Sequence, residues 1–269
     1  MIYSERPIGI FDSGIGGLSV AAEIKKRLPT ENLIYFGDTA HLPYGDKSPE
    51  TIKLYSRRIS NFLLSKQCKA LVIACNSASA AAYAALERDY GQLMPIINVI
   101  DPTIEYLLTK GSYRNIGIIG TRATINSGVY QRKIQEFDTS ITVSPLATPL
   151  LVPMIEEGFF NNSISKSIIE TYLADPVLKD IDCLILACTH YPLIKNQINA
   201  YYNNSIAVID SAEWVASRLA GILESKQLVS LNGGDSHHFY ISDLTPSFEK
   251  SAQVFFGKQI HLELVKQLV

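Results

Sequence analysis

Two cysteines hold matching places in this chain. In "ALVIACNSASAAA" (Ala70–Ala82) a buried-strand pattern runs into a small-residue helix pattern, with Cys75 at the junction. In "CLILACTHYPL" (Cys183–Leu193) the same change of pattern sets Cys188 at the junction. A thiol at a helix N-terminus meets unpaired backbone N–H groups and the positive end of the helix dipole, which is expected to lower its pKa. A free thiol is only a few per cent thiolate near pH 7, so such help matters for proton transfer or nucleophilic attack. The alternative role of a free cysteine is that of a small buried hydrophobe. That role suits Cys68 and Cys183, which stand where strands begin. For Cys75 and Cys188 the paired placement favours chemistry.

Ligands of open α/β sheets sit beyond the carboxyl ends of the strands. Four polar clusters fall at such positions: Asp12-Ser13, Asn76-Ser77, Thr121 and Thr189-His190. His190 lies two residues past Cys188, where an imidazole can give or take a proton. "GDTAHLPYGDKS" (Gly37–Ser48) joins two turn-forming stretches with polar and aromatic groups, as a cleft loop would. Within it His41 reads as a surface histidine, and His237 and His238 in "GGDSHH" read as solvated. A zinc site from Cys75, Cys188 and His190 is conceivable, but no fourth ligand stands out, and the four cysteines form no CxxC pair. The glycine-rich "FDSGIGGLS" (Phe11–Ser19) lacks the Lys-Ser/Thr of a P-loop and carries Ser19 at the third glycine of GxGxxG. Asp12 beside it also disfavours a bare phosphate.

The elements that must position these residues are legible as alternating patterns. Apolar runs at Ile8–Phe11, Leu33–Gly37, Ala70–Cys75, Pro95–Ile100, Asn115–Gly120, Ile141–Leu146, Cys183–Cys188 and Ile206–Asp210 read as buried parallel strands. Between them lie helix patterns. Ser48-Pro49-Glu50 is a helix start, and Ile52, Tyr55, Ile59, Phe62 and Leu63 follow at helical spacing. Such alternation implies an α/β fold with helices on both faces of the sheet.

The chain also repeats itself. "IGIFDSG" from Ile8 aligns with "IGIIGTR" from Ile116, an offset of 108, and "LVIACNS" from Leu71 aligns with "LILACTH" from Leu184, an offset of 113. The expected architecture is therefore two similar lobes, each a mainly parallel sheet flanked by helices. A pseudo-two-fold axis relates them, and one cleft between them receives one cysteine from each side. After Asp210 the repeat ends, and the helix pattern at Ala212–Ser225 is expected to complete the first lobe. The division expected is 1–98 plus 211–269 for that lobe and 99–210 for the second.

Composition narrows the function classes. The 269 residues are 47% hydrophobic, enough for a sizeable core, with a net charge of −2. The tight basic groups, Lys25–Arg27 and Arg57–Arg58, fall on polar helix faces and make no nucleic-acid footprint. No apolar run approaches the roughly 20 residues of a membrane span. The N-terminus shows no signal-peptide pattern. The expected location is cytoplasmic, where thiols stay reduced.

Taken together, "GIFDSGIGGLSV", "YFGDTAHLPYG", "VIACNSASA", "IGIIGTRATINSGVY", "PLLVPMIEEG" and "LACTHYPL" resemble the glutamate racemases of the aspartate/glutamate racemase superfamily, in the family's order and over nearly the whole chain. "SFEKSAQVFFG" is similar to the family's C-terminal helix. The resemblance implies that Cys75 and Cys188 are the two acid/base thiols, assisted by Asp12 and His190, with no cofactor and no metal. It places substrate contacts at Asp12, Ser13, Pro43, Tyr44, Gly45, Asn76, Ser77, Thr121, Thr189 and His190, with Asp38 and Glu156 in support. It further implies glutamate as the small-molecule substrate, D-glutamate for peptidoglycan as the product's use, and a homodimer. One departure stands out: Ser77 and Ser79 replace the family's usual threonines, which keeps the hydroxyls and alters the packing. Two other readings remain open at this level. One is a sister racemase for aspartate or a hydantoin; the other is a two-lobed binding protein without catalysis.

Overall fold

The computed structural model describes residues 3–266 apart from 111 and 258, so residues 1–2 and 267–269 of the expected first lobe lie outside the described residues. Among the described residues ten strands form two all-parallel sheets. The first sheet takes β1 (Ile8–Asp12), β2 (Leu33–Gly37), β3 (Ala70–Ile73) and β4 (Ile96–Asn98). The second is built from β5 (Asn115–Gly120), β6 (Thr142–Ala147), β7 (Cys183–Ala187) and β8 (Ala207–Ile209). The chain then returns to the first sheet with β9 (His238–Ile241) and β10 (Leu262–Leu264). The orders are β10-β9-β2-β1-β3-β4 and β6-β5-β7-β8. The order β2-β1-β3-β4 in one sheet thus recurs as β6-β5-β7-β8 in the other.

Strand register carries the repeat down to single residues. Ile8 pairs with Ala70, and Ile116 pairs with Cys183. These partners are related by the same two offsets, 108 and 113, that relate the sequence segments. Two copies of one pairing scheme produce this coincidence.

Alternation along the strands explains why both sheet faces are covered. On β1, β2 and β3, Ile8, Ile10, Leu33, Tyr35, Ala70 and Val72 enter one core, while Phe11, Ile34, Phe36, Leu71 and Ile73 enter another. Side chains alternate across a strand, so parallel strands buried on both faces must be apolar throughout. Helices α1 (Leu18–Arg27), α2 (Pro49–Ser65) and α3 (Asn76–Tyr90) connect the first four strands, and α4 (Ile100–Lys110) leads from β4 to the second sheet. Ser48 caps α2, its Oγ accepting from the Thr51 N–H at 3.3 Å, with Pro49 in the first turn. Helices α5 (Arg122–Asn126), α6 (Val129–Phe137), α7 (Leu151–Glu156), α8 (Ser163–Leu173) and α9 (Lys195–Tyr201) flank the second sheet. Helix α10 (Ala212–Ser225) packs on α1 and α4, with Trp214 stacked on Tyr106 at 3.3 Å between ring centroids. Helix α11 (Pro246–Phe256) packs on α1. No helix of the described residues is long and apolar enough to cross a membrane.

The tail differs from the sequence expectation in one respect. His238 is exposed as expected but opens β9 rather than lying in a loop, pairing with Glu263 of β10 at 2.8 Å, and His237 Nδ1 accepts from the Leu33 N–H at 3.2 Å. Strands of four and three residues carry too little alternation to be read locally. They form because β2 presents an open edge to β9, which in turn offers its own edge to β10.

A buried ion pair ties this return segment to the sheet. Lys69 and Glu31, both 0% exposed, meet at 2.5 Å beneath the strands. Lys69 Nζ also donates to the Leu228 carbonyl at 2.8 Å, and Glu31 accepts from the Ser230 N–H at 2.8 Å. Removing one partner strands the other charge in the interior. Lys69→Met is expected to destabilise the fold by about 3–5 kcal/mol, read as a lowered midpoint in urea unfolding.

Candidate active site

Each sheet changes winding direction beside its first strand. From β1 the chain goes to β2 on one side and β3 on the other; from β5 it goes to β6 and β7. The crevice at such a switch point is where α/β sheets bind ligands. Here the two switch points border one cavity of about 220 Å³. Its lining brings together Ser13, Pro43, Gly45, Cys75, Asn76, Ser77, Thr121, Cys188, Thr189 and His190. Asp12 and Tyr44, also expected at the site, do not line it. Both lie behind its wall.

Cys75 is the residue before α3, and its Sγ accepts from the Ala78 N–H at 3.4 Å while lying 3.6 Å from Ser13 Oγ. The helix donor is present, but the expected lowering of the pKa is not the outcome. Burial, with the Asp12 charge nearby, pushes this thiol up to about 12. The helix donor and Ser13 pull the other way and are outweighed. Behind it, Asp12 is 1% exposed, and its Oδ2 accepts from the Gly14 and Gly17 N–H groups at 3.1 and 3.2 Å. Burial raises the Asp12 pKa too, against the attraction of His190 and those two amides.

The other half is built differently. Cys188 Sγ lies 3.7 Å from His190 Nδ1, and His190 Nε2 lies 3.0 Å from Glu156 Oε1. Burial alone would strip the proton from His190. Cys188 and Glu156 on either side reverse that and lift its pKa to about 10. One cysteine therefore sits against a carboxylate and the other against an imidazolium.

Hydroxyls and amides from the two sheets meet across the cavity. Ser77 Oγ is 2.8 Å from Thr121 Oγ1 and 3.3 Å from Thr124 Oγ1. Tyr130 donates to Asn76 Oδ1 at 2.7 Å, which leaves Asn76 Nδ2 buried without a protein partner. Two glycines permit this approach. A Cβ on Gly16 would lie 2.5 Å from the His190 ring, and one on Gly45 would lie 2.7 Å from Thr121 Cβ. The glycine-rich turn after β1 thus makes room for a histidine of the other sheet and turns amides toward Asp12.

The loop from Asp38 to Asp46 forms the remaining wall. Asp38, 0% exposed, accepts from Tyr44 Oη at 2.6 Å and from Ser242 Oγ at 2.8 Å, and its Oδ1 lies 2.8 Å from His41 Nδ1. His41 also stacks on Tyr55 at 4.1 Å, so it is a bracing group rather than the free surface histidine that its sequence suggests. Burial and the Asp38 charge raise the Tyr44 pKa, so its phenol stays a donor. Among the described residues no cluster of His, Cys, Asp and Glu is arranged to hold a metal ion.

A profile of the Asp/Glu/Hydantoin racemase family matches residues 16–219. The chain is 41% identical to the glutamate racemase of Chlorobaculum tepidum over 266 residues, covering 98% of this chain and 97% of that one. The chain belongs to the glutamate racemase family. It is 43% identical to the Persephonella marina glutamate racemase over 256 residues, 95% of each chain. The crystal structure of glutamate racemase from Francisella tularensis in complex with D-glutamate superposes with a TM-score of 0.92 at 35% identity, covering 98% of both chains.

Sequence reasoning missed several wall residues, among them Asp46, Arg122, Thr148 and Val152. Asp46 sits in the loop already read as a cleft wall, Arg122 follows Thr121, and Val152 falls in the family motif at Pro149–Gly158; Thr148 carries no such signal. The His190 charge state is directly testable. In its imidazole NMR titration His190 is expected to stay protonated to about pH 9 and to titrate near 10. Because the folded pKa exceeds the ordinary 6.5, the stability that this charge contributes is complete below about pH 6.5 and lost as pH rises through about 10. Gly16→Ala, by pushing the ring off Cys188, is expected to move the titration down toward about 6.5.

Proposed function

We propose that the protein interconverts L- and D-glutamate by a two-base mechanism in which Cys75 and Cys188 are the proton carriers. The observation that carries this reading is that two thiols, delivered from different sheets, line one small cavity. At about 220 Å³ the cavity is smaller than the roughly 300–1,000 Å³ typical of drug-sized ligands, as suits an amino acid.

The two cysteines take unequal starting roles in this reading. Cys75, pushed up to about 12, is the thiol. In this reading Cys188, 3.7 Å from the His190 imidazole that Glu156 braces, acts first as the base. One enantiomer then loses its α-proton to Cys188 Sγ while Cys75 Sγ–H delivers its proton to the opposite face. This leaves Cys188 as thiol and Cys75 as thiolate, with inversion at the α-carbon. The other enantiomer uses the reverse pair. Asp12 stands behind Cys75 and His190 beside Cys188, so that each thiol has its own assisting side chain. Asn76 Nδ2 and the hydroxyls of Ser77, Thr121 and Thr189 are placed to bind a carboxylate and to stabilise charge that spreads onto it as the α-proton leaves. Amides around Ser13, Pro43, Tyr44 and Gly45 would hold the second carboxylate.

The same reading treats 1–98 plus 211–269 as one lobe and 99–210 as the other. Support comes from strands β9 and β10 rejoining the first sheet and from α10 packing on α1. Four free, buried cysteines suit a reducing cytoplasm. A homodimer, and supply of D-glutamate to peptidoglycan, follow from the family resemblance.

Racemisation followed by circular dichroism, with α-deuterium uptake in D2O followed by NMR, tests the mechanism. Wild type is expected to racemise both enantiomers without an added cofactor. Cys75→Ser and Cys188→Ser are each expected to lose at least about 10³-fold in turnover. Wild-type rates in both variants would end the two-thiol reading, and activity on aspartate alone would move the substrate.

A further inference from the structure

The rim of the cavity carries an ion pair that joins the two halves. Asp46 ends the short turn Tyr44–Asp46 after β2, and Arg122 opens α5 after β5. Arg122 Nη1 lies 3.1 Å from Asp46 Oδ1, with the two side chains 56% and 55% exposed. Both residues line the cavity, so the pair stands where the cavity meets solvent.

Beneath it the halves touch in two further layers. Gly45 packs its backbone against Thr121, and deeper still Ser77, Thr121 and Thr124 share hydroxyl contacts. Ser77 and Thr121 line the same cavity as the pair, so a ligand that uses their hydroxyls binds beside this contact between the halves. The pair above them is exposed, and exposed pairs are weak and screened by salt, so this outermost layer opens most easily. Among the described lining residues the cationic side chains are His190 and Arg122. His190 is 3% exposed and engaged by Cys188 and Glu156. Arg122 is therefore the positive group that a carboxylate arriving from solvent meets first, and Asp46 competes for it.

Resting on the glutamate reading above, we propose that Arg122 is the substrate-guiding residue at the mouth, and that Asp46 acts as its latch. With the pair open, the guanidinium attracts a carboxylate of the incoming glutamate. With the pair closed, it spans the edge between the lobes over the bound amino acid. Neither residue takes part in proton transfer, so the effect falls on capture.

Steady-state racemisation by wild type, Arg122→Gln, Arg122→Lys and Asp46→Asn, at low and high NaCl, reads this out. Calorimetric titration of each with D-glutamate supplies affinity independently of turnover. Arg122→Gln is expected to lower kcat/KM about tenfold at low salt, through KM rather than kcat, and to flatten the salt dependence. Arg122→Lys should retain most of the wild-type value. Asp46→Asn is expected to act in the opposite direction, raising kcat/KM about threefold at low salt and steepening its fall with salt. Both substitutions shifting kcat/KM the same way, or differences insensitive to salt, would overturn the proposal and leave the pair as packing. If wild type binds glutamate without turning it over, the racemase reading fails and the affinities still decide the latch. If it neither binds nor racemises glutamate, both fall.

Discussion

The site depends on how closely two sheets can be brought end to end. Most side chains at the strand ends would hold them apart. Here the contact is made by glycine backbone and short hydroxyls: Gly16 against His190, Gly45 against Thr121, Ser77 between Thr121 and Thr124. Only with such small groups can two cysteines from different sheets share a cavity of about 220 Å³. Small residues here act as spacers whose dimension sets how far apart the two thiols stand, and a reacting group misplaced by about 1 Å loses much of its rate.

Closeness also creates the electrical asymmetry. The two halves repeat the same strand order and register, yet one cysteine stands before Asp12 and the other beside His190. A dry cavity penalises every charge, so each ionised group there needs a partner. His190 has Glu156 and Cys188; Asp12 has two backbone amides. A site with one thiol well above neutrality and an imidazolium beside the other cysteine suits a reaction needing a donor and an acceptor at once.

The C-terminal segment serves the site from a distance. Ser242 donates to Asp38 at 2.8 Å and accepts from the Ala40 N–H at 2.9 Å, while Asp38 receives the Tyr44 hydroxyl. A residue at the end of β9 thereby holds the loop that walls the cavity. At the opposite end of the same sheet, Lys69 and Glu31 grip the chain between α10 and β9. The tail is thus clamped at both ends of the sheet it extends.

Much of this was legible in the residues themselves. Strand runs, the Ser48-Pro49 helix start, the repeat with its two offsets, and the two cysteines at matching junctions are local patterns, carried within a few positions of one another. Family motifs at Asp12, Asn76, Thr121 and Thr189 mark the strand ends that line or back the cavity. What only the tertiary structure decided are relations between distant residues. Ser77 meets Thr121 44 positions away, and Asp38 meets Ser242 across 204. Cys75 is raised rather than lowered because burial, with the Asp12 charge nearby, outweighs the donor of its own helix, a balance that local spacing does not contain. Strand β9 exists because β2 offers it an open edge, and β10 because β9 does the same. Local sequence determines which elements form and which side chains stand at their ends. Desolvation and cross-lobe contact act through space, and so they set what those side chains can do.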